Sequence, residues 1–174
     1  MVGGSNIRMM VEEAVALIGG LDKIAVNDKT ILVKPNAVTG DPSPTTTNPE
    51  VLRAVVEFLY DEGAKKVVVG DMSALLTIST ARNMEKTGLT KVAVEAGAVV
   101  VHFDDYDWIG VKLPDARYLQ KVYVSEWIYK ADRIINLPVI KTHKYATYSI
   151  CLKNFIGATH LKQRPYFIYK SHGE

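Results

Sequence analysis

At 174 residues the chain has the length of one domain, and a composition of 48% hydrophobic and 23% charged residues excludes an intrinsically disordered segment. Its formal charge is only +2, with lysine and arginine spread along the chain, so nothing in it suggests nucleic acid or an anionic membrane, and a small partner is expected. Cys151 is the single cysteine, which excludes an internal disulfide and any iron–sulfur cluster ligated by this chain alone.

The first expected element is a helix from Ile7 to Ile18, where Ile7, Met10, Val11, Ala14, Leu17 and Ile18 recur at helical spacing behind a Ser5 or Asn6 cap. Gly19 and Gly20 end it. Glu12 and Glu13 are incompatible with the apolar core of a signal peptide, and the run from Val92 to Val101 is broken by Glu95 and too short to span a bilayer. A cytoplasmic domain is the expectation. Thr30 to Asn36 is a short apolar run closed by proline, as in a buried strand whose last residues, Lys34 to Asn36, emerge at a sheet edge. Residues 37–47, rich in Gly, Pro, Asp, Ser and Thr, form a loop. Asn48 then caps a helix with Pro49 in its first position and an apolar stripe of Val51, Leu52, Val55, Val56 and Leu59, closed by Gly63.

Val67 to Asp71 reads as a second buried strand, and residues 79–96 as one or two helices interrupted at Gly88. A third strand follows at 98–103. From Trp108 the spacing of Val111, Leu113, Leu119, Val122 and Val124 around Pro114-Asp115 predicts a hairpin-like insertion near 108–124, then a short helix at 125–131 and a further strand, Arg133 to Pro138. Strands alternating with helices predict a single α/β domain over 1–174 with a mostly parallel central sheet flanked by helices.

Two strand ends carry similar chemistry, Val33-Lys34-Pro35-Asn36 and Pro138-Val139-Ile140-Lys141-Thr142-His143. Ligands of open α/β sheets sit at those carboxyl ends. Lys34 and Lys141 can neutralise a phosphate or carboxylate, with Asn36 and Thr142 supplying directional hydrogen bonds. A lysine that merely solvates a loop is the ordinary reading for either one alone; two beside strand ends favour a ligand. Thr45, Thr46 and Thr47 lead into the Asn48 cap, where free backbone N–H groups attract anions, although a cap needs no ligand to explain it. Neither a P-loop nor a Gly-x-Gly-x-x-Gly string is present. Asp71 ends the second strand, where a catalytic or metal-binding carboxylate is often placed, and Asp71, His143 and His160 form a candidate divalent-metal set without diagnostic spacing. Between Tyr148 and Gly157, Ile150, Leu152, Phe155 and Ile156 are expected in the core, Cys151 as inert core packing, and Lys153-Asn154 as a third cation–amide pair.

These residues carry a family likeness. Ile31-Leu-Val-Lys-Pro-Asn36, Thr47-Asn-Pro49, the stretch 63–71, Thr87-Gly-Leu89, Asn136-Leu-Pro-Val-Ile-Lys-Thr-His143 and Leu152-Lys-Asn-Phe-Ile-Gly157 resemble the uncharacterised family catalogued as domain of unknown function 362, some members of which are iron–sulfur proteins. The resemblance implies a shared site at Lys34, Asn36, Asp71, Lys141, His143, Lys153 and Asn154. It also implies a sequence continuing past Glu174, so the chain reads as a fragment or a compact variant. The members that bind clusters do so through cysteine-rich ferredoxin segments, which this chain lacks.

The resulting expectation is an enzyme or redox accessory protein that binds a small anionic metabolite or cofactor. Lys34, Asn36, Thr47, Lys153 and Asn154 would hold it; Lys141, His143 and Asp71 would act on it, with His143 as acid or base. The alternative is a non-catalytic domain that docks to a ferredoxin-like or metal-handling protein, suggested by the family and by Tyr166, Phe167 and Tyr169.

Overall fold

The computed structural model describes residues 6–21, 24–74, 79–116, 119–143 and 146–165. Strands β1 (Thr30–Lys34), β2 (Lys66–Asp71), β3 (Val99–His102) and β6 (Arg133–Asn136) form a parallel sheet in the order β3-β2-β1-β6. Ile31, Leu32 and Val33 of β1 and Val67, Val68 and Val69 of β2 have no solvent exposure, which is why these two strands read as unbroken apolar runs rather than alternating ones. Each such side chain stabilises the fold by about 1.5–3 kcal/mol through its burial.

Their alternation sorts the core into two layers. Ile31, Val33, Val67 and Val69 face a cluster completed by Leu52, Val56 and Leu59 of α2 (Pro49–Asp61) and by Leu89, Val92 and Ala93 of α4 (Leu89–Glu95). Leu32, Val68, Val101 and Phe103 face the other way, toward Trp108, Trp127, Ile134 and Leu161. Asn48 caps α2 by accepting the Glu50 N–H, and Asn6 caps α1 (Ile7–Leu17) by accepting that of Met9. The expected interruption at Gly88 is a left-handed residue, φ +80°, between α3 (Thr80–Lys86) and α4.

The insertion is the antiparallel pair β4 (Trp108–Lys112) and β5 (Lys121–Ser125), followed by the single-turn helix α5 (Trp127–Lys130). A second hairpin has no counterpart in the sequence reading: β7 (Lys141–His143) pairs with β8 (Thr147–Ser149) and leads into the short helix α6 (Cys151–Asn154). The expected core role of this last segment is overturned. Cys151 is exposed and Leu152 is 89% exposed, while polar Asn154 is the buried residue of α6. The helix lies across the carboxyl ends of β1 and β6, so its inner side meets strand-end carbonyls instead of apolar side chains. Asn154 Nδ2 donates to the carbonyls of Lys34 and Pro35, each at 3.2 Å, and to Asn136 Oδ1 at 2.8 Å.

Candidate functional site

Lys34 ends β1 and Asp71 ends β2, and both are buried. Their ion pair measures 2.6 Å between Nζ and Oδ1, and Asp71 Oδ2 accepts the Ala37 N–H at 2.8 Å. The ammonium also reaches the Pro35 carbonyl at 3.3 Å. Burial pulls the Lys34 pKa below its usual 10.5; Asp71 works against that and nearby Arg164 adds to it. The pair is roofed by Gly157, where a Cβ would collide with Asp71 Oδ1 and lie 2.8 Å from Lys34 Nζ. Gly157→Ala is therefore expected to lower stability by about 1–3 kcal/mol, the usual cost of overpacking. Chemical denaturation of the variant checks this, and a loss within error of zero would mean that the roof yields freely.

Above the pair stand the more exposed members of the expected set. Lys141 Nζ is held by Asn36 Oδ1 at 3.3 Å and the Thr45 carbonyl at 2.5 Å. Its pKa is lowered mainly by burial and secondarily by Lys153, against the pull of Asp71. Lys153 Nζ lies 2.8 Å from His143 Nε2, and burial lowers its pKa as well. The fold thus brings Lys34, Asn36, Asp71, Lys141, His143, Lys153 and Asn154 to the carboxyl edge of β1, β2 and β6.

Several of these side chains are already committed. The Thr47 hydroxyl accepts the Asn36 N–H at 2.8 Å and donates to the Leu137 carbonyl at 3.0 Å, which ties the loop after β1 to the one after β6. Thr46 donates to the Asp41 carbonyl at 2.8 Å, so with Asn48 as cap the threonines serve the loop and helix entry. Thr142 is exposed. His160 packs its ring edge-on against Trp108 at 4.9 Å and accepts the Lys162 N–H at 3.2 Å. Among the described residues no three His, Cys, Asp or Glu side chains stand close enough to hold a metal ion. Tyr166, Phe167 and Tyr169 lie outside the described residues.

Arg164 was not singled out by the sequence. It is buried and donates to the carbonyls of Ser73 (2.6 Å), Met72 (3.4 Å), Gly157 (3.1 Å) and Thr159 (3.1 Å), strapping the end of β2 to the turn that roofs the ion pair. Burial brings its pKa down to about 10, with Asp71 and Asp104 opposing. Ser73 extends the strap by donating to the Ala37 carbonyl at 2.7 Å and accepting from Asn83 Nδ2 at 2.8 Å.

A parallel four-stranded sheet flanked by helices, with two small antiparallel hairpins and a buried lysine–aspartate pair at its carboxyl edge, defines an α/β protein of the open-sheet kind. The chain belongs to the family described as Domain of unknown function (DUF362), whose model matches residues 31–173. It is 27% identical over 166 residues to a thylakoid-associated protein of Synechocystis sp., an alignment covering 94% of this chain and 48% of that protein. The chain thus spans about half the length of the curated relative it matches. No solved structure matches it. No helix among the described residues is long and apolar enough to cross a membrane.

Proposed function

We propose that this domain binds a small organic anion at the carboxyl edge of its sheet, with Lys141 as the cation that meets the ligand and Asn36 as its orienting amide. One observation carries the reading: the half-buried Lys141 ammonium rests against neutral oxygens, those of Asn36 and Thr45. The charge balance supports it. Lys34, Lys141, Lys153 and Arg164 gather around Asp71, the one acidic side chain of this set, and Asp71 is already engaged by Lys34. Desolvated positive charge of this kind is stabilised by an anion that replaces the lost hydration. A carboxylate or phosphate is the chemical class that fits, and stabilisation of negative charge developing on such a ligand is the catalytic use the arrangement offers.

Thermal unfolding with phosphate, citrate or glyoxylate tests the reading. An anion at 100 times its Kd stabilises by about 2.7 kcal/mol, or about 5–10 °C at this chain length. The shift is expected in the wild type and absent in Lys141→Gln. Equal shifts in both would reject the site.

A second reading, docking to a ferredoxin-like or metal-handling partner, is favoured by the apolar side chains beside the site, since Ile140 is 79% and Leu152 is 89% exposed. Co-purification with a candidate partner that is lost in Leu152→Asp would support it. Both readings place the domain in the cytoplasm, and the thylakoid association of the cyanobacterial relative is compatible with peripheral attachment through a partner.

A further inference from the structure

The contact between His143 and Lys153 fixes a protonation state. His143 Nδ1 accepts the backbone N–H of Ala146 at 3.1 Å. A neutral imidazole that accepts at Nδ1 carries its proton on Nε2, a tautomer assigned from the hydrogen-bond network. Nε2 is the atom 2.8 Å from Lys153 Nζ. An N–H can only donate in that contact, and an ammonium has no lone pair with which to accept. The species that satisfies both atoms is a free amine.

We infer that Lys153 rests as a neutral amine nucleophile that condenses with the carbonyl of a small anionic aldehyde or ketone. The anionic half of this inference rests on the site proposed above, because Lys141 would meet the carboxylate or phosphate of the same molecule. Lys141 and Lys153 are close enough for each charge to disfavour the other, and Lys153 is partly withdrawn from water. A desolvated lysine beside a second cation is the usual setting of an imine-forming residue. In the step itself the Nζ lone pair attacks the carbonyl carbon, and the C=O π pair moves to oxygen. Proton transfer from nitrogen to oxygen gives a carbinolamine. Loss of that oxygen as water leaves the C=N bond, so one amine and one carbonyl give one imine and one water, with no oxidant or reductant. Lys34 is excluded from this role, since it is buried in its pair with Asp71.

Reductive trapping of the wild-type chain tests the inference. Glyoxylate (an anionic aldehyde) and acetaldehyde (a neutral one) are offered separately at pH 7.5 with cyanoborohydride, and the modified lysines are located by peptide mass spectrometry. Attack scales with the amine fraction, which grows tenfold for every tenfold fall in acidity constant ratio, so Lys153 is expected to react at least about tenfold faster than exposed Lys91. Glyoxylate should be preferred over acetaldehyde at Lys153, and the preference should vanish in Lys141→Gln. Labelling of Lys153 no faster than that of Lys91 overturns the amine, even if anions still shift the unfolding temperature. Equal labelling of Lys153 by the two aldehydes overturns the anionic substrate class and counts against the anion site, while the amine stands.

Discussion

Asp71→Asn is expected to destabilise the fold by about 3–5 kcal/mol, the usual penalty for removing one partner of a buried ion pair. The asparagine can still accept the Ala37 N–H through its side-chain oxygen, so the loss isolates the charge of Lys34. That ammonium would remain fully buried without its carboxylate, and burial already lowers its pKa from 10.5. The cheapest escape is to shed the proton, which at pH 7 costs at most about 5 kcal/mol, so the penalty has a ceiling. It also has a pH signature. With the folded pKa below the unfolded one, the unfolded chain binds the extra proton in the interval between them, and stability rises with pH there. The deficit of Asp71→Asn should therefore shrink as pH rises from 7 and close near pH 10.5, the ordinary lysine value. The double variant Lys34→Met, Asp71→Asn removes both charges and should recover most of the loss at pH 7, since a buried pair replaced by uncharged groups is often close to neutral. Urea unfolding of both variants across pH decides the matter. A single variant within about 1 kcal/mol of the wild type, or a double variant as unstable as the single, would show that the pair does not hold the edge together.

The central sheet was legible because its signal is local. β1 and β2 are buried on both faces, so their residues had to be apolar without a break, and Asn48-Pro49 and Gly88 announce helix boundaries through backbone chemistry alone. The gathering of Lys34, Asn36, Asp71, Lys141, His143 and Lys153 was also legible, since strand ends of one parallel sheet share an edge. The depth of each residue along that edge was not. Lys34 looked like a residue emerging to solvent, yet Gly157, distant in sequence, closes over it. Between Cys151 and Asn154 hydrophobicity pointed the wrong way, because the floor beneath α6 is made of carbonyls, and an amide rather than Leu152 is what such a floor accepts. The β7 and β8 pair is only three residues long on each side, too short to impose a period on the sequence.

Arg164 shows the same limit most clearly, and its replacement should be the other large effect. Its partners are backbone carbonyls, which every residue carries, so no sequence pattern marks them. Arg164→Ala would leave carbonyls from both sides of the strap without donors and open a cavity beside Lys34 and Asp71; a loss of about 3–4 kcal/mol is expected from buried acceptors left unsatisfied and from lost packing. Arg164→Lys separates charge from shape. A lysine preserves the positive charge felt by Asp71 but presents one compact donor group where the planar guanidinium reaches carbonyls in several directions. If the strap works by geometry, Arg164→Lys should recover less than half of the loss; if charge opposite Asp71 is what matters, it should recover nearly all of it. Urea denaturation with an unchanged m-value reads the difference, and near-complete rescue by lysine would sink the strap.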